Sequence, residues 1–278
     1  MYKLGLKLWS TNNNYIQESI KLYDSKIYDY IELFIVPESY KSYSSIWQNL
    51  NIPFIIHAPH YAFGLNLAKK EIEKINLRLA RETIKFSNDL NSKTIIFHPG
   101  MEGNIIETIR QLKFINNPQI IIENKPYYAL PKFGNGKLIC NGYSPNDIEK
   151  IIGETGLGFC FDIGHAICAA NAQKINPLKY IEQFLKLNPK MYHISDGNFD
   201  GVHDEHKNLG CGTFPLKKLL DFLSKDSIIS IETEKSSKEN LEDFENDVIY
   251  LKNLFNYGKR KNNNSNNKTM EYNQRNKI

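Results

Sequence analysis

The sequence predicts a single (β/α)8 barrel, a parallel sheet of eight strands closed on itself inside a ring of helices. Three observations predict it. The chain has 278 residues, 41% of them hydrophobic, which suits one barrel of about 250 residues around one large core. Short β-rich runs alternate with helical patterns eight times, and strand–helix alternation means right-handed βαβ units. Most of the runs are almost continuously apolar, as parallel strands buried on both faces are.

The strand candidates, in order, are KLGLKLW (3–9), YIELFIV (30–36), PFIIHA (53–58), TIIFH (94–98), QIIIEN (119–124), LGFCFD (157–162), MYHIS (191–195) and IISIET (228–233). Between them the pattern turns helical. After Leu67, residues Ile72, Ile75, Leu79 and Phe86 fall on one stripe, and Leu219, Leu220, Phe222 and Leu223 follow Pro215. Ser144-Pro145-Asn146-Asp147 is a helix start: a capping serine, proline in the first turn and a carboxylate three residues after the cap. Eight units favour a closed barrel over an open sheet. No glycine-rich phosphate loop follows the first strand, which counts against a dinucleotide fold.

One domain is expected over residues 1–256, followed by an Asn/Lys-rich tail over 257–278. The tail holds six Lys/Arg and one Glu, and it is polar enough to be expected disordered. It accounts for the formal charge of +4, because the rest of the chain carries 29 basic and 30 acidic residues. A nucleic-acid substrate would therefore need a local basic patch or metal ions to meet its phosphates. Cys140, Cys160, Cys168 and Cys211 form no C-x-x-C pair and are too scattered for a disulfide scaffold. Reduced thiols in a cytoplasmic protein are expected. No apolar stretch is long enough for a membrane span, and the N-terminus reads as a strand rather than a secretory signal.

Chemistry-bearing residues gather at the ends of the strands. His57 ends the third, His98 the fourth, Glu123 the fifth and Asp162 the sixth, with His165 three residues later. His193 ends the seventh, Asp204 and His206 lie in the loop after it, and Glu232 ends the eighth. In this fold the C-terminal strand ends converge on one mouth, where active sites are built. Carboxylates crowded there without compensation would be forced to protonate. Imidazoles and carboxylates together are ligands for Zn²⁺, Mn²⁺ or Fe²⁺. Each residue also has a plainer explanation. A lone histidine after a strand is more often a hydrogen-bonded structural residue, Asp162 could cap a helix, and Glu232 could form a salt bridge inside the barrel. Structural residues acting independently need not fall at the same end of six strands in a row, so the set is read as a metal centre. His60 and His203 are second-rank candidates, as outer contacts or substrate contacts. Glu205 and Lys207 read as solvated loop residues.

On these residues the chain resembles the endonuclease IV family of abasic-site repair enzymes, within the xylose-isomerase-like TIM barrels. The likeness spans roughly residues 3–256. It implies a three-metal site, with zinc as the ion and Mn²⁺ an alternative. His57, His98 and Glu123 would hold one ion. Glu123 would bridge to a second, held also by Asp162, His193 and Glu232. His165, Asp204 and His206 would hold the third. GFCFDIGH (158–165) and the Asp-x-His-x-x-x-Gly run from Asp204 to Gly210 carry the motif. Departures stand beside the match. His60-Tyr61 replaces a Tyr-Leu pair that helps open the duplex, Glu205 replaces an arginine, Cys211 replaces a glutamate, and Glu32 in YIELF is more like the sugar isomerases.

The implied activity is hydrolysis of the phosphodiester 5′ to an abasic site in duplex DNA. Glu123 would orient the metal pair, and Glu232 would be both ligand and base. The alternative is a one-metal sugar isomerase or epimerase built on Glu123, Asp162, His193 and Glu232. His57, His98, Asp204 and His206 separate the two readings, because a one-metal isomerase has no need of them. A non-catalytic metal-binding barrel would be expected to have lost some of the nine positions, and none is lost.

Overall fold

The computed structural model describes residues 2–132 and 134–255. Strands β1 (Lys3–Trp9), β2 (Tyr30–Phe34), β3 (Phe54–His57), β4 (Ile95–Phe97), β5 (Ile120–Glu123), β6 (Gly158–Asp162), β7 (Met191–Ile194) and β8 (Ile228–Ile231) pair in parallel in sequence order. The first also pairs with the last, through Lys3 to Ile228 and Leu6 to Ile231, which closes the barrel. All eight sequence-predicted strands are present. β2 stops at Phe34, short of the predicted Val36, because the chain turns there toward the next helix.

The helices are α1 (Ile16–Asp24), α2 (Tyr40–Gln48), α3 (Glu73–Asp89), α4 (Ile105–Ile115), α5 (Pro145–Thr155), α6 (Ile163–Ala172), α7 (Pro177–Leu185), α8 (Leu216–Leu220) and α9 (242–255). The predicted start at Ser144 holds: its hydroxyl accepts from the Asp147 N–H at 3.1 Å, and Pro145 sits in the first turn. The stripe predicted for α3 needs one correction. Its buried face is Asn76, Leu79, Ala80, Thr83, Phe86 and Ser87, whereas Ile75 is 43% exposed. Ile75 lies in the first turn of the helix, and the barrel-facing stripe begins one residue later. The 257–278 tail lies outside the described residues. No helix among the described residues is long and apolar enough to cross a membrane.

Strand alternation sorts the side chains into two populations. One parity (Leu4, Leu6, Leu8, Ile31, Leu33, Ile56, Phe97, Ile122, Phe161, Ile231) faces the helices and forms the main core. Each such side chain removed from water stabilises the fold by about 1.5–3 kcal/mol. The other parity points into the barrel. At its floor Ile96, Ile121, Cys160 and Met191 form a small apolar plug, with Ile55 and Ile228 against it. Above the plug the inward residues become polar: Lys7, Glu32, His57, Glu123, Asp162 and His193. Gly5 makes room for Tyr30, whose ring would lie 2.4 Å from a Cβ at that position. Tyr30 can thereby reach Ser230 Oγ at 2.9 Å across the barrel.

Helix α9 fixes one wall of the mouth. Phe244, Val248 and Leu251 are fully buried. Asp247 accepts from the Leu209 N–H at 2.7 Å, from Asn208 Nδ2 at 3.0 Å and from the Thr233 hydroxyl. One carboxylate thus ties the loop after β7, which carries Asp204 and His206, to the end of β8.

Candidate metal centre

The nine predicted positions meet at one mouth. His57, Glu123 and Asp162 are the last residues of β3, β5 and β6, and His193 is one residue short of the end of β7. His98 and Glu232 stand one residue beyond β4 and β8. His165 is in the first turn of α6, and Asp204 and His206 come from the β7–α8 loop.

Glu123 is the hub. Its Oε2 lies 3.0 Å from His57 Nε2, 3.0 Å from His98 Nε2 and 3.4 Å from His193 Nδ1. His57 Nδ1 reaches the Ala58 carbonyl at 2.8 Å, so a neutral ring carries its proton there and turns its Nε2 lone pair toward the carboxylate. The His98 imidazolium is strongly disfavoured, chiefly by burial and only partly offset by Glu123, and its Nδ1 has no hydrogen-bond partner.

A second convergence surrounds His193. Its Nε2 lies 2.9 Å from Glu32 Oε2, which assigns the proton of a neutral ring to Nε2 and the lone pair to Nδ1. Around Nδ1 stand Glu232 Oε1 at 2.7 Å, Glu123 Oε2 at 3.4 Å and Asp162 Oδ2 at 4.0 Å. Despite this crowding, Nδ1 is buried and makes no hydrogen bond. A buried ring nitrogen with no hydrogen bond and three carboxylates within 4.0 Å of it are suited to a divalent cation. Glu32, braced by Lys7 at 3.1 Å and by the Ser230 hydroxyl, is the partner that fixes the ring.

The third group is nearer the rim. His165 Nδ1 reaches the Asn124 carbonyl at 2.8 Å, freeing Nε2, which lies 3.3 Å from Asp204 Oδ2. Asp204 Oδ2 is also 2.6 Å from His206 Nε2, again without hydrogen-bonding geometry. His206 holds this position at a left-handed φ of 51°. Asp162 divides its two oxygens. Its Oδ1 caps α6 by accepting from the His165 N–H at 2.7 Å, and its Oδ2 turns into the mouth.

Electrostatics agree with this arrangement. Burial alone would raise the carboxyls of Glu123 and Glu232, yet both are held well below the usual range. His98, Lys125 and His193 hold down the first, and His193 and Lys7 the second. Burial works against the His165 imidazolium too, but Asp162, Asp204 and Glu123 outweigh it and push its pKa up to about 10. Without metal, then, the protein must find its positive charge in protonated histidines. Burial pushes the Cys160 thiol up to about 12, so Cys160 is a neutral floor residue.

Among the second-rank residues, His60 Nδ1 accepts from the Ala62 N–H at 3.2 Å, and its ring stacks on His98 at 5.7 Å. His203 sits 6.1 Å from the Tyr128 ring, away from the hub. Glu205 accepts from the Asn198 N–H at 2.8 Å and pairs with Lys207 at 3.1 Å, so both stay on the loop. An aromatic wall leads inward from solvent. Trp9, 46% exposed, packs on Phe34 and Phe63, and Phe34 packs on His57 at 5.3 Å.

Sequence reasoning overlooked Lys7 and Lys125, and noted Glu32 only as a departure. Lys125 Nζ lies 3.2 Å from Glu123 Oε1 and 3.2 Å from His165 Nε2. The signal was available for two of them: Lys7 and Glu32 are charged residues at inward positions of otherwise apolar strands.

Known proteins share this architecture. A protein of Methanocaldococcus jannaschii described only as uncharacterized is 24% identical over 229 residues, covering 76% of each chain. A probable endonuclease 4 of Mycoplasmoides gallisepticum is 24% identical over 65% of this chain and 64% of its own. The crystal structure of a D-tagatose 3-epimerase-like protein superposes with a TM-score of 0.69 at 22% identity, covering 93% of this chain and 99% of the other. Residues 26–254 match a family as a whole, and with the closed barrel and its mouth in view, the chain belongs to the xylose isomerase-like TIM barrel family.

Proposed function

We propose that this protein is a metal-dependent phosphodiesterase that cuts DNA 5′ to abasic sites, leaving a 3′-hydroxyl. The observation that carries the reading is the double surround of Glu123. His57 and His98 approach Oε2 at 3.0 Å as one group, and His193 Nδ1 approaches the same oxygen at 3.4 Å as part of a second group that shares Glu123. A carboxylate shared by two such groups suits two adjacent ions, and Asp204 with His206 offers a further position at the rim. Endonuclease 4 relatives are consistent with this reading.

When bound, the ions would polarise the phosphate, lower the pKa of a water and stabilise the leaving alkoxide. The chain's own groups do the rest. Lys7 holds Glu232 Oε1, leaving Oε2 as an acceptor for a proton of the attacking water. Glu123 holds its two flanks at fixed separation. The ammonium groups of Lys7 and Lys125 add positive charge where a phosphate would enter, in a chain whose body is nearly neutral. An abasic nucleotide has no base to unstack, so it is the cheapest to extrude into such a mouth.

One observation favours a second reading. Glu123, Asp162 and Glu232 all surround His193 Nδ1, within 4.0 Å, and that tetrad alone would suit a one-metal sugar isomerase or epimerase. Two glutamates beside a polarised carbonyl could shuttle a proton. To decide, purified protein is assayed for metal content, for cleavage of duplex DNA carrying one abasic site, and for ketose turnover. Two or more divalent ions per chain and incision abolished by EDTA are expected. A single ion with ketose turnover and intact DNA would establish the epimerase reading instead.

A further inference from the structure

The mouth contains a feature that a purely metal-holding site does not require: a buried ammonium among the ligands. Lys125 is 8% exposed, and its backbone N–H is fixed on the Gly142 carbonyl at 3.1 Å. Its Nζ lies 3.2 Å from Glu123 Oε1, the oxygen turned away from His57 and His98. The same Nζ is 3.2 Å from His165 Nε2 and 3.5 Å from His165 Nδ1. The ammonium thus lies within hydrogen-bonding distance of the ring nitrogen that faces Asp204.

We propose that Lys125 is a resident cation that sets the metal count of this centre, weakening the His165–Asp204–His206 position so that two divalent ions, not three, are held tightly. This rests on the metal-centre reading above. Lys125 occupies Oε1 of Glu123, so only Oε2 remains for the ions beside His57, His98 and His193. It also lies against the imidazole whose Nε2 would bind the third ion, and like charges at that range repel strongly in a buried site.

Charge neutrality leads to the same count. Glu32, Glu123, Asp162, Asp204 and Glu232 are five carboxylates, and Lys7 and Lys125 are two ammonium groups, leaving three negative charges when the imidazoles are neutral. Two divalent ions bring the site to a single positive charge, which one phosphodiester neutralises. Three ions would leave three positive charges in a water-poor mouth, an expensive state.

The test is a Zn²⁺ titration of the full chain against a competing chelator, with metal counted by mass spectrometry after gel filtration. Wild type should retain two ions, with a third binding at least about a hundredfold more weakly. Lys125→Met should retain three, the third affinity rising at least tenfold, while Lys125→Arg, which keeps the charge, should retain two. Lys7→Met is the comparison, since Lys7 contacts Glu32 and Glu232 and not His165; it removes the same charge from the sum without uncovering His165, so it should raise the third-ion affinity several-fold less than Lys125→Met does, and an equal rise would overturn the local role of Lys125. Three ions of similar affinity in wild type would overturn the proposal while leaving the metal centre intact, and so would a Lys125→Met protein that still holds two. If Lys125→Met fails to fold, the wild-type count and Lys125→Gln carry the test. A wild-type chain holding one ion or none would overturn both this proposal and the hydrolase reading.

Discussion

Among the predicted ion-binding positions Glu32 bonds to His193, and it is the most informative residue to change. It is fully buried, 2.9 Å from His193 Nε2, 3.1 Å from Lys7 Nζ and bonded to the Ser230 hydroxyl. Its carboxyl is held below the usual range, since His193 and Lys7 together outweigh the cost of burial. A hydrogen bond to a charged group contributes about 1.5–3 kcal/mol, and a neutral one about 1 kcal/mol. Glu32→Gln keeps an oxygen to accept from Nε2 but loses the charge, so it should weaken metal binding by about 1 kcal/mol, several-fold in affinity. Glu32→Ala removes the acceptor as well. It frees the ring to turn and lets Lys7 settle on Glu232, so affinity should fall by about 10- to 100-fold, as is usual for partners of metal-bound histidines. The assay is chelator competition on both variants, with circular dichroism to establish that the barrel is retained. If both bind metal within twofold of wild type, His193 is not oriented by Glu32, and the account of the second convergence fails.

Other outcomes follow from the same geometry. Glu232→Gln should lower the rate of the native reaction by at least about a hundredfold while the melting temperature stays near that of wild type; unchanged turnover would remove Glu232 from the chemistry. Stripping metal with EDTA should lower the melting temperature by roughly 10 °C, because ions present at about 1,000 times their dissociation constant stabilise by about 4 kcal/mol; a calorimetric scan with and without chelator measures it. Burial, with help from Lys125, His57 and Lys7, depresses the His60 pKa to about 2. Below the unfolded value of 6.5, the unfolded chain takes up a proton that the folded chain refuses, so stability is lost as pH falls from 6.5 toward 2. At pH 4.5 the loss is on the order of 2 kcal/mol. His60→Asn, whose side-chain oxygen can still accept from the Ala62 N–H, should show a flatter urea-midpoint profile between pH 6.5 and 4.5, and an unchanged slope would contradict this. Trp9→Ala should raise KM about tenfold with little change in stability, because the ring is half exposed at the rim and ring stacking contributes about 1–3 kcal/mol; an unchanged KM would take Trp9 out of substrate contact.

The barrel, and the end of it at which the histidines and carboxylates gather, are legible in the chain alone. A strand buried on both faces has to be apolar along its whole length, so runs such as QIIIEN and TIIFH announce themselves. A histidine or carboxylate closing each run is then placed by the fold's geometry, because parallel strands all finish at the same rim. Ser144-Pro145 was legible for a local reason, since a cap and its first turn are a few residues apart. The tertiary structure decided matters that depend on residues distant in sequence. Asp162 divides its two oxygens between capping α6 and facing the mouth. The ring of His193 is turned by Glu32, 161 residues away in sequence. Ile75, helical in pattern, is exposed because the packing of α3 on the barrel begins at Asn76. Lys125 reads as an unremarkable lysine in the chain, and only barrel closure brings its ammonium group among the carboxylates. Strand periodicity is a local property that survives in one dimension, whereas the balance of charge inside the mouth is a sum over eight strands and their loops, and it exists only once they meet.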